Sequence, residues 1–169
     1  FKTMVSVGID YTDQMARAIP IMGATASQAR MLGNEVRRLG ETTIFTATEA
    51  AGGLTALAMA GLSSTQALDA LAPALRLASI GQVDMFKSAD ILTNVMNGFR
   101  LEAIDIPSIV DDLSTAVTSS NSTIEQMAGA LSYVAPVATA AGGSIEEVTA
   151  ILEVFHNAGI KGSRAGTAL

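Results

Sequence analysis

Apolar residues recur every three or four positions along nearly the whole chain, and polar residues fill the positions between them. This spacing places the apolar side chains on one face of a helix, whereas no alternating run is long enough to predict a strand. The pattern therefore predicts an all-α fold of about eight helices, each of roughly 12 to 18 residues, in antiparallel hairpins. The apolar stripes comprise Met4, Val7, Tyr11, Met15, Ala18 and Met22; Leu32, Val36 and Leu39; Leu54, Leu57 and Ala58; Leu68, Leu71 and Leu75; Met85, Ala89, Leu92, Met96 and Phe99; Val110, Leu113 and Val117; Ile124, Met127, Leu131 and Ala135; and Ile145, Val148, Leu152 and Phe155.

A serine or threonine followed three residues later by glutamate or glutamine marks five predicted helix starts. In this capping box the hydroxyl accepts a hydrogen bond from a first-turn amide, and the longer side chain accepts one from the amide of the cap residue. Asp84 is predicted to cap a further helix, and Asp105 one that carries Pro107 in its first turn. The five boxes are Thr25 with Gln28, Thr46 with Glu49, Ser63 with Gln66, Ser122 with Glu125, and Ser144 with Glu147.

Six glycines occur where a predicted helix ends. A residue in the left-handed conformation commonly closes a helix, and glycine adopts that conformation without steric penalty. Two prolines, Pro73 and Pro136, fall inside helical patterns, where we expect each to kink the helix or to mark its boundary. The six glycines are Gly40, Gly61, Gly81, Gly98, Gly142 and Gly159.

The pattern divides the chain into an N-terminal segment of two helices at residues 1–40 and a larger helical domain at 41–169. The larger domain is predicted to hold two similar hairpins around a central helix pair, because a capped small-residue helix followed by a second capped helix occurs from Thr46 and again from Ser122. The final run, NAGIKGSRAGTAL at 157–169, leaves a helix only just begun. We therefore expect this sequence to be part of a longer chain, truncated at its C-terminus.

The net charge of −6 argues against tight nucleic-acid binding, which usually requires a basic surface. Arg37 and Arg38 are the only adjacent cations, and we interpret them as a solvated helix end. The chain contains no cysteine, which excludes disulfides and thiolate chemistry. Since 49% of its residues are hydrophobic but only 4% are aromatic, we expect a thin core with close contacts between helices.

The sequence offers no convincing catalytic constellation. Its one histidine, His156, lies near a predicted helix end, and without cysteine it would need carboxylates to complete a zinc site. The adjacent acids at 111–112 and 146–147 are interpreted as helix faces or first turns, where acidic groups favour the helix dipole. The glycine pairs at 52–53 and 142–143 match no phosphate-binding loop. We therefore predict no catalytic, cofactor-binding or metal site, and no enzyme.

Two stretches of about twenty residues, 50–68 and 126–145, contain no charged residue. Such a length is compatible with a membrane span. Both stretches are interrupted by glycine, serine and threonine, and the second contains Pro136, so we favour buried helices followed by turns. A membrane-inserting helical module that forms part of an ejection channel remains the alternative, together with a generic helical protein-interaction domain.

Residues from about 35 to 169 resemble the core region of bacteriophage tail tape measure proteins, also called minor tail proteins. Several ordered motifs carry this resemblance over about four fifths of the chain, whereas the first thirty residues fit less distinctly. Relatives often have GEALK before the run around Tyr133, where this chain has AGALS at 128–132. The matching runs are TATEAA at 46–51, LAMAGLS at 57–63, SADI at 88–91 with Asn94, NGF at 97–99, SSNST at 119–123, LSYVAPV at 131–137 and NAGIKGSRAGTAL at 157–169.

The resemblance implies a structural component of a phage tail or a tail-like particle. It implies a long helical chain, with coiled-coil character, that sets tail length during assembly, occupies the tail tube and leaves before the genome is ejected. Several copies, commonly three, are implied to lie side by side and to bind tail tube, tail tip or baseplate hub proteins and tail assembly chaperones, with host membrane contact during ejection. The implied locations are the virion tail interior and, during assembly, the host cytoplasm. Within the final motif, the candidate partner-contact loop is Lys161, Gly162, Ser163 and Arg164.

Overall fold

The computed structural model describes residues 2–169, and their side chains from Asp10 onward. This described part consists of α-helices joined by connections of three to seven residues, one of which contains a 3-10 helix, and it has no strand. The predicted all-α fold is confirmed, with a six-residue helix added after eight longer ones; the side chains of Met4 and Val7 lie outside the described residues. The helices are α1 (Lys2–Ile21), α2 (Ala26–Thr42), α3 (Ala47–Met59), α4 (Ser64–Gly81), α5 (Met85–Gly98), α6 (Ile106–Ser119), α7 (Ile124–Ala141), α8 (Ile145–Asn157) and α9 (Ser163–Ala168), and the 3-10 helix is Ala103–Asp105.

The chain separates into two compact units, whose boundary falls within α4 and α5. The N-terminal unit extends to Ala78 and includes Asp84–Asp90, and the C-terminal unit comprises Ser79–Val83 and Ile91–Leu169. The division predicted from the sequence, between residues 1–40 and 41–169, stays a prediction.

Helix α3 forms the centre of the N-terminal unit. Every residue from Ala50 to Ala58 is buried, because α1 and α2 both pack against this helix. The hydroxyl of Thr55 lies 3.1 Å from the backbone carbonyl oxygen of Gln14 on α1, which joins the two helices. The first part of the charge-free stretch at 50–68 is therefore a buried helix, as favoured from the sequence. Within the described residues, every helix is too short or too polar to cross a membrane.

Helices α6, α7 and α8 pack against one another in the C-terminal unit, and α9 packs against α7 and α8. Their apolar stripes meet in the middle, so that Leu113, Met127 and Leu152 are fully buried. Contacts also join helices two apart in the sequence, namely α1 with α3, α6 with α8, and α7 with α9. Among sequential helices, contacts join α2 with α3, α6 with α7, α7 with α8, and α8 with α9. The arrangement of two similar hairpins around a central helix pair stays a prediction.

Four of the five predicted capping boxes form, at Thr25, Thr46, Ser63 and Ser144. The box predicted at Ser122 is wrong by one residue. Helix α7 begins at Ile124, so Thr123 is the cap and pairs with Gln126, while the Ser122 hydroxyl lies 2.7 Å from that of Ser120.

The two predicted aspartate caps have different outcomes. Asp84 accepts a hydrogen bond from the Lys87 amide at 2.9 Å, as predicted for a residue before α5. Asp105 precedes α6, and Pro107 lies in the first turn of that helix, but the Asp105 side chain does not cap it. Its carboxylate instead accepts from the amide of Glu102 at 2.8 Å, because a 3-10 turn separates the two residues.

Three of the six predicted glycine stops adopt the left-handed conformation: Gly61, Gly142 and Gly159. The left-handed conformation predicted at Gly40, Gly81 and Gly98 is wrong. Gly40 lies inside α2, whereas Gly81 and Gly98 are the last residues of α4 and α5, and another element comes close to each of the three. A Cβ atom would lie 2.6 Å from the Ala47 nitrogen at Gly40, 2.6 Å from Ile124 Cγ2 at Gly81, and 2.9 Å from Ala135 Cβ at Gly98. Left-handed residues after α4 and α5 are instead Gln82 and Arg100, with φ of 53° and 56°.

The two prolines predicted to kink a helix or mark its boundary both lie inside helices. Pro73 lies within α4, and Pro136 lies within α7. Since proline has no amide hydrogen, the carbonyl groups of Asp69 and Ser132, four residues earlier, lose their usual helical donor. Both helices continue past the proline, and each buries an apolar face.

Candidate interaction surface

The predicted partner-contact loop, residues 161–164, comprises the last two residues before α9 and the first two residues of that helix. Lys161 is half-buried, whereas Ser163 and Arg164 are exposed. Gly162 has φ 58° and ψ −140°, a conformation that is unfavourable for any residue with a Cβ atom, and α9 begins directly after it. The loop is therefore accessible at its C-terminal half, and its contact with a partner stays a prediction.

Gly166 sets the distance between α9 and α7. Ala165 and Gly166 are both buried in this contact. A Cβ atom on Gly166 would lie 2.5 Å from the carbonyl oxygen of Ala130 and 2.8 Å from Tyr133 Cβ. The glycine in the final motif therefore permits a backbone approach that a larger residue would prevent.

Motif runs that are far apart in the sequence meet in the C-terminal unit. The Asn121 amide donates to the side-chain oxygen of Asn157 at 2.9 Å, which links the runs at 119–123 and 157–169. The Thr139 hydroxyl donates to the Gly98 carbonyl at 3.3 Å, and Gly98 also faces Ala135. These bonds join residues 36 and 41 positions apart, so no local pattern could reveal them.

An apolar groove lies between α7, α8 and α9, with a volume of about 490 Å³. We call it the α7–α8–α9 groove. Its main exposed apolar side chains are Tyr133, Val137, Ile151 and Leu169, and Glu147 is the acidic residue in its lining. Sequence reasoning missed this groove, since the residues belong to three helices and their exposure depends on tertiary packing. The remaining lining residues are Val134, Ala138, Ala141, Gly143, Val148, Gly166 and Thr167.

His156 lies in the last turn of α8, as predicted, but it is fully buried. Neither ring nitrogen has a hydrogen-bond partner within the described residues. Burial lowers the pKa of the imidazole, and the positive charge of Lys161 lowers it further. The ring is therefore neutral at pH 7, and it has no partner that would orient it for acid–base chemistry.

The paired acids at 111–112 and 146–147 come from α6 and α8, which pack together. Burial raises the pKa of Asp112, and repulsion from Glu146 and Asp111 raises it further. One Asp112 carboxylate oxygen is buried without a hydrogen-bond partner. Among the described residues, no three His, Cys, Asp or Glu side chains are grouped so that they could hold a metal ion.

The adjacent cations on α2 are both engaged by neighbouring side chains. Arg38 Nε donates to the Glu35 carboxylate at 2.8 Å, and this hydrogen bond lowers the pKa of Glu35. Arg37 donates to the side-chain oxygen of Asn34 at 2.6 Å and to the Tyr11 hydroxyl at 3.3 Å. Both cations remain exposed, in agreement with their interpretation as a solvated helix surface.

Comparison with known proteins gives one family. The model of the family described as phage-related minor tail protein matches residues 33–169. The chain is 37% identical over 165 residues to the tape measure protein of Pneumococcus phage Dp-1, a match that covers 98% of this chain and 14% of that protein.

A second relative has a similar name. The chain is 32% identical over 163 residues to the probable tape measure protein of Escherichia phage P2, which covers 95% of this chain and 20% of that protein. This chain thus spans between one seventh and one fifth of the length of the two curated relatives. No solved structure matches it.

Proposed function

Because the chain belongs to the phage-related minor tail protein family, we propose that it is part of a tape measure protein, which sets tail length during assembly. The observation that carries this proposal is similarity along nearly the whole chain to a tape measure protein, at 37% identity. In this role the full-length protein occupies the tail tube lumen and is released before the genome is ejected. The chain works as a structural component and not as an enzyme.

Within that protein, residues 41–169 form a folded helical domain, preceded by the two-helix segment at 1–40. The capping boxes at Thr46, Ser63, Thr123 and Ser144 and three left-handed glycine stops support this interpretation, because they favour short helices with defined ends. A segment that measures tail length in an extended form would instead require long helices without such start and stop residues. We therefore assign the measuring shaft to other parts of the full-length chain.

The proposed partners are other copies of the chain, three side by side, and the tail tube, tail tip or baseplate hub proteins. Tail assembly chaperones hold the chain in the host cytoplasm before it enters the virion, and the host membrane is contacted during ejection. The exposed half of the loop at 161–164 is a proposed contact with one of these proteins. Acidic charge supports a place beside the genome, since like charges do not associate.

Tail length after in-frame deletion tests the proposal. An α-helix rises about 1.5 Å per residue, so removal of about 100 residues from a long helical stretch outside the folded domain should shorten tails by about 150 Å. Electron microscopy of the particles measures the change, and a duplication of the same stretch should lengthen them equally. Supply of the intact gene in trans is the control and should restore the original length. Tails of unchanged length would contradict the ruler function.

A further inference from the structure

The α7–α8–α9 groove exposes four large apolar side chains. Val137 is 72% exposed, Tyr133 57%, Leu169 48% and Ile151 43%, although all four side chains line one concavity. Scattered apolar residues on a surface are ordinary, but a contiguous apolar concavity is typical of a binding site. The groove is therefore a candidate docking surface.

We propose that the groove binds an amphipathic helix formed by the residues that are joined to Leu169 in the full-length protein. The relatives supply the first reason, since this chain accounts for only 14% and 20% of their lengths. The second reason is position, because Leu169 itself lines the groove. A segment attached there reaches the groove over the shortest tether, so its effective concentration is higher than that of any free partner.

The lining defines the chemistry of the occupant. Two helices, α7 and α8, provide the walls, and helix-in-groove binding uses apolar anchors spaced at three, four and seven residues. Glu147 lies among the lining residues and is exposed, so a lysine or arginine beside the apolar stripe would complement its charge. Small residues at Ala138, Ala141 and Gly143 leave room for large anchors such as leucine or phenylalanine. Occupation of the groove does not depend on whether the chain sets tail length.

Photo-crosslinking in the full-length protein tests the proposal. The photoreactive amino acid p-benzoylphenylalanine replaces Tyr133, an exposed aromatic residue of similar shape, and a second variant carries it at Ile151. The matched control carries it at Val154, which is 66% exposed on α8 but does not line the groove. After irradiation, mass spectrometry identifies the crosslinked peptides. A mixture of 15N-labelled and unlabelled protein separates links within one copy from links between copies.

We expect both groove positions to crosslink within one copy to a helical segment directly after Leu169, with a yield about tenfold above that at Val154, because the tethered segment occupies the groove for most of the time. Crosslinks between labelled and unlabelled copies would assign the groove to a second copy and overturn the proposal. Crosslinks to another protein, or groove yields no higher than the Val154 yield, would overturn it equally. Tail length in the same variants reports on the ruler function separately.

Discussion

At Gly166 a single hydrogen atom in place of a side chain determines how closely α9 approaches α7. The carbonyl oxygen of Ala130 occupies the space that a Cβ atom would need. Such a position has no tolerance for added volume, since the obstruction is backbone and cannot change rotamer. The stability of the α7–α9 contact therefore depends on this one residue.

Replacement of Gly166 by alanine should destabilise the chain by about 1–3 kcal/mol, because α9 must move away from α7. Urea denaturation followed by circular dichroism measures the change. Gly129→Ala is the matched control: it lies in α7 with no atom near its missing Cβ, so alanine should stabilise the helix by up to about 1 kcal/mol. Equal effects of the two substitutions would show that the α7–α9 contact is not close.

A second effect at the residue scale comes from His156, which makes the stability of the fold depend on pH. Its pKa is lowered in the fold by burial, whereas in the unfolded chain the pKa is about 6.5. The unfolded state therefore binds more protons below that pH, so stability is complete above about pH 6.5 and decreases as pH falls towards the folded-state pKa. The chain has no other histidine, so no second imidazole contributes to this window.

We expect the urea midpoint of the unchanged chain to decrease as the pH is lowered from about 7.5 to about 5.5, the range in which an unperturbed histidine titrates. His156→Leu keeps the site apolar and removes the titrating group, so its midpoint should change much less over the same range. Acidic groups with shifted pKa values, such as Asp112, whose pKa is raised by burial, are common to both proteins, so the comparison isolates the contribution of His156. Parallel pH profiles for the two proteins would contradict the assignment to His156.

At the scale of the element, local sequence determines where most helices begin. A capping box involves residues only three apart, so the boxes at Thr46 and Ser144 could be predicted directly. Ser122 and Thr123 are adjacent hydroxyl residues, each with a suitable partner three positions later, so the local pattern does not distinguish them. The structure uses Thr123 as the cap, and Ile124, which follows it, is fully buried. Local patterns thus predict the presence of a helix better than its exact register.

The glycines show why features that depend on tertiary contacts could not be predicted from the sequence. Gly61 and Gly81 both follow an apolar helical pattern, but only Gly61 is left-handed, and Gly81 faces Ile124 of another helix. The reason for glycine at such a position lies more than forty residues away, where no local pattern reaches. The α7–α8–α9 groove was missed for the same cause, whereas the fold class follows from periodicity alone.

Thr123→Ala should destabilise α7 by about 1 kcal/mol, since the Gln126 amide loses the hydroxyl that accepts its hydrogen bond. Hydrogen exchange at the Gln126 amide should accelerate, and the urea midpoint should decrease. Ser122→Ala is the control with a smaller expected effect, because that hydroxyl contacts Ser120 and not the helix. A larger loss from Ser122→Ala would place the cap where the sequence first suggested.

At the scale of the whole molecule, net charge rather than any single site determines whether the chain binds DNA. The net charge is −6, and the adjacent cations Arg37 and Arg38 are held by Tyr11, Asn34 and Glu35 on the same unit. DNA binding without sequence preference depends on cations that contact phosphates. A chain with this balance can share a confined space with a genome without adhering to it.

The chain should therefore leave duplex DNA unretarded in an electrophoretic mobility assay even at about 50 mM salt, where phosphate contacts are strongest. The control variant exchanges four exposed acids, Asp13, Glu41, Asp69 and Glu125, for lysine. Each exchange raises the net charge by two, so the variant should gain weak retention that disappears as salt increases, because released counterions drive such binding. Salt-sensitive retardation by the unchanged chain would contradict this prediction, since it would require a basic surface that the overall charge conceals. It would also weaken the proposed place beside the genome, because a chain that holds DNA would delay ejection.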